Sequence, residues 1–425
     1  MLIEFSVENF KSFRDRTTLS LVAAARLHDD PALDQPNVVM VSPKLSLLKV
    51  AALYGANASG KSNLAAAFQI FRGFVGSSTD LERRPMAEPF LLSKEKREQP
   101  SVFEIVFTQE DTQWRYGFAV RREQIVEEWL FVARSPRETM LFEREGAVIR
   151  RGVSFRKGSP LLESDGSLKR PEALFLSLLA EIGVEEGQVV AGFILNQCRL
   201  LNGILDDRLL PFTSRCMDSG RYASWMKQLY HALDLGFDDI RVRSDRDADS
   251  AEGKKQLRLE TVHRLTDSAT GEEEVIFPLQ WESAGTQKIV ALSGPLADTL
   301  AQGRTLFADE LDARLHPRLT EHLVSLFQSK ETNPKNAQLI FVTHDTNLLD
   351  SHQFRRDQVW FISKDRHGAS KLYSLGEFKG LRKNRDFEED YLAGRFGALP
   401  FLHALPGPSG GDSVESERDM SDALR

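Results

Sequence analysis

The chain has 425 residues, 41% hydrophobic and 28% charged, with a formal net charge of −7. That composition is ordinary for a folded globular protein of one elaborated domain or two, and the acidic sum gives no sign of an obligatory nucleic-acid partner, although a local basic groove stays open. Two cysteines, Cys198 and Cys216, exclude a disulfide framework and a cysteine zinc pattern, no apolar run reaches the roughly 18 residues of a membrane span, and the start Met1-Leu2-Ile3-Glu4-Phe5 is acidic and strand-like rather than a signal peptide, so a cytoplasmic location is expected.

Residues 2–7 alternate as a strand. The apolar run 47–54 leads directly into Gly55-Ala56-Asn57-Ala58-Ser59-Gly60-Lys61-Ser62. Beyond it, Leu64, Phe68 and Phe71 recur at helical spacing, which predicts a helix with one buried face. Strand, glycine loop and helix together are the context a phosphate-binding loop requires. Gly55 and Gly60 let backbone N–H groups converge on phosphate oxygens, and the helix adds its positive end. Lys61 then reaches the terminal phosphates as a point charge, and the Ser62 hydroxyl is a Mg²⁺ ligand. Asn57, Ser59 and Asn63 complete the expected contacts of this loop.

Residues 102–107 and 114–120 read as neighbouring strands, and 126–133 and 140–155 continue the meander. Residues 168–238 read as helical, without the sustained heptads of a coiled-coil arm. Residues 239–281 return to strand-like alternation. Ser283-Ala284-Gly285-Thr286-Gln287 then opens an apolar helix. Ser283 with Gly285 suits either an anion site or a plain N-cap, and the sequence does not choose.

Two short apolar runs follow, 305–309 and 338–343, each with a helix candidate after it, as in a parallel α/β sheet. The first ends in Asp309 and Glu310. A carboxylate at such a strand end supports a Mg²⁺ shell, which fits Asp309, and a second polarises an attacking water, which fits Glu310. The second run ends in His344, placed to hydrogen-bond a γ-phosphate or position water. The tail from residue 406 is acidic and rich in Pro, Gly and Ser, so disorder is expected there.

The order of these elements resembles the ABC-type ATPases, in their SMC/RecF/OLD-like branch rather than among membrane transporters. Gly55 to Ser62 resembles the Walker A loop. Ser283 to Gln287 resembles the signature motif in its S-x-G-T form. Residues 306–310 resemble Walker B with its catalytic Glu, Leu311-Asp312-Ala313 the D-loop, and His344 the switch histidine. Asn9-Phe10-Lys11-Ser12-Phe13 resembles the N-terminal strand of the branch. Residues 309–317 and 391–400 are similar to bacterial AAA-family RloA-like ATPases, associated with phage-defence or restriction-linked operons.

The resemblance implies an α/β fold, an ABC-type P-loop ATPase head with an antiparallel β subdomain and a helical insertion. It implies an N-terminal ATPase lobe over 1–155, an insertion over 156–280 that serves as lid or partner surface, and a C-terminal ATPase lobe over 281–405. ATP and Mg²⁺ are the implied ligands, with Asp312 among the ATP contacts. Two heads would sandwich two ATP molecules, Ser283 and Gly285 of one head meeting the γ-phosphate held by Lys61 of the other. The implied partners are a second copy, in an ATP-dependent head-to-head dimer or a higher oligomer, and a separate effector, with a nuclease as a candidate. The implied role is an ATP-hydrolysing conformational switch in a defence or restriction-linked system; the alternative is a DNA-repair or DNA-tethering RecF/SMC-like ATPase, with DNA as partner. Gln109 and Gln113 are the candidates for the branch's Q-loop glutamine, and neither has supporting context.

Overall fold

The computed structural model describes residues 1–25, 31–77, 79–134, 137–153, 155–202, 208–246, 255–265, 273–349, 353–379 and 386–399. The expected disordered tail lies outside these residues.

The centre is a six-stranded sheet in the order Cys198–Asn202, Thr305–Asp309, Gln338–Val342, Val50–Tyr54, Val359–Lys364, Ser370–Ser374. The first five strands are parallel, and the last returns antiparallel. Val50–Tyr54, Thr305–Asp309 and Gln338–Val342 are buried at every position. Such continuous apolar runs are what a parallel strand covered on both faces requires. Alternate residues divide between two cores: Ala51 and Leu53 pack on one face, Val50 and Ala52 on the other.

A second sheet has seven antiparallel strands, in the order Val148–Arg151, Thr139–Glu145, Gln124–Ala133, Thr112–Arg121, Ser101–Gln109, Leu2–Glu8, Thr17–Ser20. The helix Lys61–Ser77 lies between the two sheets. Phe68 stacks on Phe307 of the central sheet with ring centroids 5.8 Å apart, and Phe71 stacks on Phe118 of the antiparallel sheet at 5.4 Å. The apolar positions read from the sequence thus form two faces of this helix, one for each sheet. On the far side of the central sheet lie the helices Ala284–Gln302 and Pro317–Gln328, which contribute Ile289, Leu296, Leu323 and Val324 to the second core.

Four local expectations are corrected. The run 47–54 is two strands, Leu45–Leu48 and Val50–Tyr54, broken at Lys49; the first pairs with Val38–Ser42. The stretch 168–238 is not wholly helical, because Cys198–Asn202 is a strand on the edge of the central sheet. The segment Asn9 to Phe13 is a tight turn rather than a strand. Asn9 and Lys11 take φ of 50° and 49°, and the Phe10 and Phe13 backbones bond each other. Finally, among the described residues the strand Gln338–Val342 is followed by two 3-10 turns, Thr346–Leu349 and Arg356–Gln358, and not by an α-helix.

Candidate nucleotide site

Register places the chemistry. Leu53 lies opposite Val342 and Ala308 opposite Phe341, so the strands leading to Gly55, Glu310 and His344 end at one carboxyl edge of the sheet. That edge is where open α/β sheets bind ligands. There Asn57, Ala58, Gly60, Lys61, Ser62, Asn63, Glu310, Val342, His344 and Lys364 line a cavity of about 530 Å³.

The loop is braced from below. Gly60 has φ of +117°, and a Cβ on it would fall 2.3 Å from Ser370 Oγ and 2.7 Å from Ser12 Oγ. A Cβ on Gly55 would meet the Ile362 carbonyl oxygen at 2.4 Å. Glycine is therefore required at both positions by conformation or contact. Ser370 Oγ donates to the Ser59 carbonyl, Ser370 and Ser12 hydroxyls bond at 2.7 Å, and Asn63 Nδ2 donates to Ser12 Oγ at 2.8 Å. The Asn9–Phe13 turn is thus the floor of the loop. Asn9 anchors that turn: its side chain donates to the carbonyls of Lys96, Gln99 and Pro100 and accepts from Phe90 N–H.

Lys61 folds back onto its own loop, with Nζ 2.6 Å from the Gly55 carbonyl and 3.0 Å from that of Ala56. Burial holds its ammonium down to about 8, against the opposing pull of Asp309, Asp312 and Glu310. Asp309 is buried and accepts a hydrogen bond from the Ser62 hydroxyl, while its Oδ1 has no partner. Burial raises its carboxyl above the usual value, as does the Glu310 charge, and the Ser62 hydroxyl, Lys61 and His344 oppose the rise. A buried carboxylate oxygen without a donor, beside a hydroxyl at the mouth of a phosphate loop, fits a hard cation. Among the described residues no group of three His, Cys, Asp or Glu could hold a metal alone. A cation here would therefore share its shell with substrate oxygens and water, as Mg²⁺ does.

Glu310 occupies the left-handed region, with φ of 55°, directly after the strand. The fully buried Lys288 fixes this turn by donating to the carbonyls of Glu310 at 2.9 Å and Ala313 at 2.7 Å. Asp312 does not line the cavity. Its carboxylate instead accepts from the Thr343 hydroxyl and from the His344 and Asp345 N–H groups. Burial keeps the His344 imidazole below its usual pKa, and Lys61 pushes the same way, while Asp312, Glu310 and Asp309 pull back.

Ser283 is the N-cap of Ala284–Gln302 and accepts from Thr286 N–H at 3.1 Å. Neither Ser283 nor Gly285 lines the cavity around Lys61. Gly285 instead approaches the turn after Glu310, since a Cβ on it would lie 3.0 Å from the Arg314 carbonyl oxygen. Gln109 lines a different cavity, with Met1 and Thr108, and Gln113 pairs within the antiparallel sheet. Sequence reasoning missed Lys364 and Ser370. Both belong to the returning hairpin, and nothing in their local pattern marks them.

No helix among the described residues is long and apolar enough to cross a membrane. No curated protein matches the chain by sequence. Among solved structures it is similar to an SMC head domain from Thermotoga maritima, at 13% identity over 88% of this chain and 98% of that one, with a TM-score of 0.39. It is also similar to an Smc head domain from Pyrococcus furiosus with an extended coiled coil, bound to the C-terminal domain of ScpA, at 12% identity over 93% and 98%, with a TM-score of 0.41. A family model described as "AAA domain, putative AbiEii toxin, Type IV TA system" matches residues 50–350, which include the phosphate loop, the acidic strand end and His344. The chain belongs to that family, and its α/β P-loop fold carries an antiparallel β subdomain.

Proposed function

We propose that this chain binds ATP with Mg²⁺ at the Gly55–Ser62 loop, hydrolyses it, and works as a dimeric switch. The supporting observation is the convergence of Lys61, Glu310 and His344 on one cavity, with Asp309 and Ser62 bonded at its base. The loop's N–H groups and the start of helix Lys61–Ser77 bind the phosphates. In the free chain Lys61 holds the Gly55 and Ala56 carbonyls, and it exchanges them for phosphate oxygens. Lys364 adds a second cation at the cavity wall. Ser62 and Asp309 would hold Mg²⁺, which supplies neutralisation of the phosphate charge. Glu310 accepts a proton from the attacking water, and the neutral His344 orients that water or the γ-phosphate.

Asn57, Ser59 and Asn63 belong to the same loop and helix start, and Asp312 acts on the site through the His344 backbone. Ser283 and Gly285 stand outside the cavity, at a helix start that is exposed or half-buried. A second copy presenting this helix start to the γ-phosphate would complete the site. Nucleotide would then favour a closed dimer and hydrolysis its opening, a ligand-dependent shift of population. The family description supports a place in a bacterial defence or toxin–antitoxin system, and in this reading the switch acts on a separate effector.

The test is Glu310→Gln beside the wild type. The variant should bind ATP normally, turn over about 10²- to 10⁴-fold more slowly, and accumulate as an ATP-dependent dimer on size-exclusion chromatography. Unchanged turnover would remove Glu310 from its role; an ATP-bound monomer in both proteins would remove the dimer.

A further inference from the structure

We propose a second ligand site, for a small organophosphate of the nucleoside monophosphate class, at the pole of the central sheet opposite the phosphate loop. A cavity of about 390 Å³ lies there, between the edge strand Cys198–Asn202, helix Lys61–Ser77 and the start of the strand Thr305–Asp309. Its lining includes Arg72, Arg199 and Arg304 together with Leu200, Leu209 and Phe212.

Among the described residues, the charge at this place is out of balance. One buried carboxylate, Asp298, serves three guanidiniums. Its Oδ2 pairs with Arg199 at 2.6 Å and with Arg304, and its Oδ1 with Arg221 at 3.1 Å. The Tyr222 hydroxyl donates to the same Oδ1 at 3.2 Å. Arg72 adds a fourth cation, which donates to the Ile194 and Leu195 carbonyls. Among the described residues, four guanidiniums thus gather around one carboxylate, in a chain whose total is −7. Arg304 Nε is buried without a hydrogen-bond partner.

Buried guanidinium donors are costly to leave unsatisfied, and an oxyanion satisfies several at once. Arg199 and Arg304 are 26% and 17% exposed, so a ligand reaches them while most water is excluded. Arg199 is also stacked over Phe212 at 5.1 Å, which fixes its plane. An anion with a planar apolar body matches this mixed lining, its phosphate toward the arginines and its ring system against Leu200, Leu209 and Phe212. The volume suits a ligand of that size.

The site also touches the machinery of the nucleotide site from behind. Arg72 stands eleven residues after Lys61 on one helix, about 16 Å away. Arg304 immediately precedes the strand that ends in Asp309, about 16 Å along the chain. A ligand bound here bears on the phosphate-loop helix and the acidic strand together, without entering the ATP cavity.

The experiment is calorimetric titration of AMP, inorganic phosphate and adenosine into the Lys61→Ala chain, repeated on wild type saturated with a non-hydrolysable ATP analogue. AMP should bind saturably with a Kd below about 1 mM in both, phosphate more weakly, adenosine not measurably. Arg199→Gln should weaken AMP at least about tenfold, while its melting temperature and its ATP affinity at the Lys61 loop show the fold intact. Phe212→Ala should weaken AMP but not inorganic phosphate. Absence of AMP binding in both backgrounds overturns the proposal, as does binding that ignores both substitutions. Binding of a short single-stranded oligonucleotide, lost in Arg199→Gln without any AMP binding, would overturn the small ligand in favour of a nucleic-acid strand. None of these results bears on ATP binding at Gly55–Ser62, so the two readings fail separately.

Discussion

Asp312 holds the backbone of His344: its Oδ2 accepts the His344 N–H at 2.8 Å and the Thr343 hydroxyl at 2.9 Å. The carboxylate that follows Glu310 by two residues thus sets the loop that carries the imidazole. Acid and histidine, on the loops that follow adjacent strands, are one mechanical unit. Asp312→Ala removes the shared acceptor. Charged hydrogen bonds of this kind are worth about 1.5–3 kcal/mol, so turnover should fall roughly ten- to a hundredfold. The ATP dissociation constant should change far less, because Lys61 and its loop are untouched. Parallel measurement of kcat and of equilibrium ATP binding checks the split; a loss confined to binding would refute it.

Gly60→Ala tests the floor of the loop. The substitution meets two obstacles, a φ of +117° and a Cβ 2.3 Å from Ser370 Oγ. Together these should cost about 1–3 kcal/mol of stability and abolish measurable ATP binding. Adding Ser370→Ala removes the steric obstacle but not the backbone one. The double variant should therefore regain part of the melting temperature and little of the binding. Full recovery would mean that the contact alone required glycine.

How much of this was legible depends on sequence distance. The phosphate loop, the Asp309–Glu310 strand end and His344 each lie at or just beyond the end of a short buried strand with its own signature, so local reading singled them out as candidates. The bracing of that loop was not legible. Ser12 and Ser370 are separated by 358 residues and meet only through the folded sheet. Cys198–Asn202 escaped for a related reason. Its five residues show no alternation, follow directly on helical turns, and become a strand only by pairing with Thr305–Asp309 more than a hundred residues later. Asp312 could be named from its motif, yet its action through the His344 N–H is a tertiary fact.

Proton linkage gives a prediction about Lys61. Burial brings its ammonium down to about 8 in the free chain. Phosphate oxygens favour the charged form, so ATP must raise that value. Near pH 8 about half of the free molecules carry a neutral Lys61, and binding should take up about half a proton per ATP. Near pH 6.5 the lysine is already charged and the uptake should vanish. Calorimetric enthalpies measured in buffers of different ionisation enthalpy read this directly. Buffer-independent enthalpies at pH 8 would show that Lys61 is charged before ATP arrives.

Cys198 reports on the edge of the central sheet. Its thiol is fully buried, and burial pushes it up to about 12, with Arg72 and the N-terminal ammonium pulling weakly the other way. At pH 8 about one molecule in ten thousand then carries the reactive thiolate, against about one in four for an ordinary thiol. Cys216 is buried too, and burial raises it as well. Iodoacetamide should leave both cysteines unmodified in the native chain and alkylate both in denaturant, as read by mass spectrometry. Labelling of Cys198 without denaturant requires the edge strand to leave Thr305–Asp309, so its rate measures the free energy of that opening. Modification of Cys198 within minutes at pH 8 would show that this strand does not stay packed against the strand carrying Asp309.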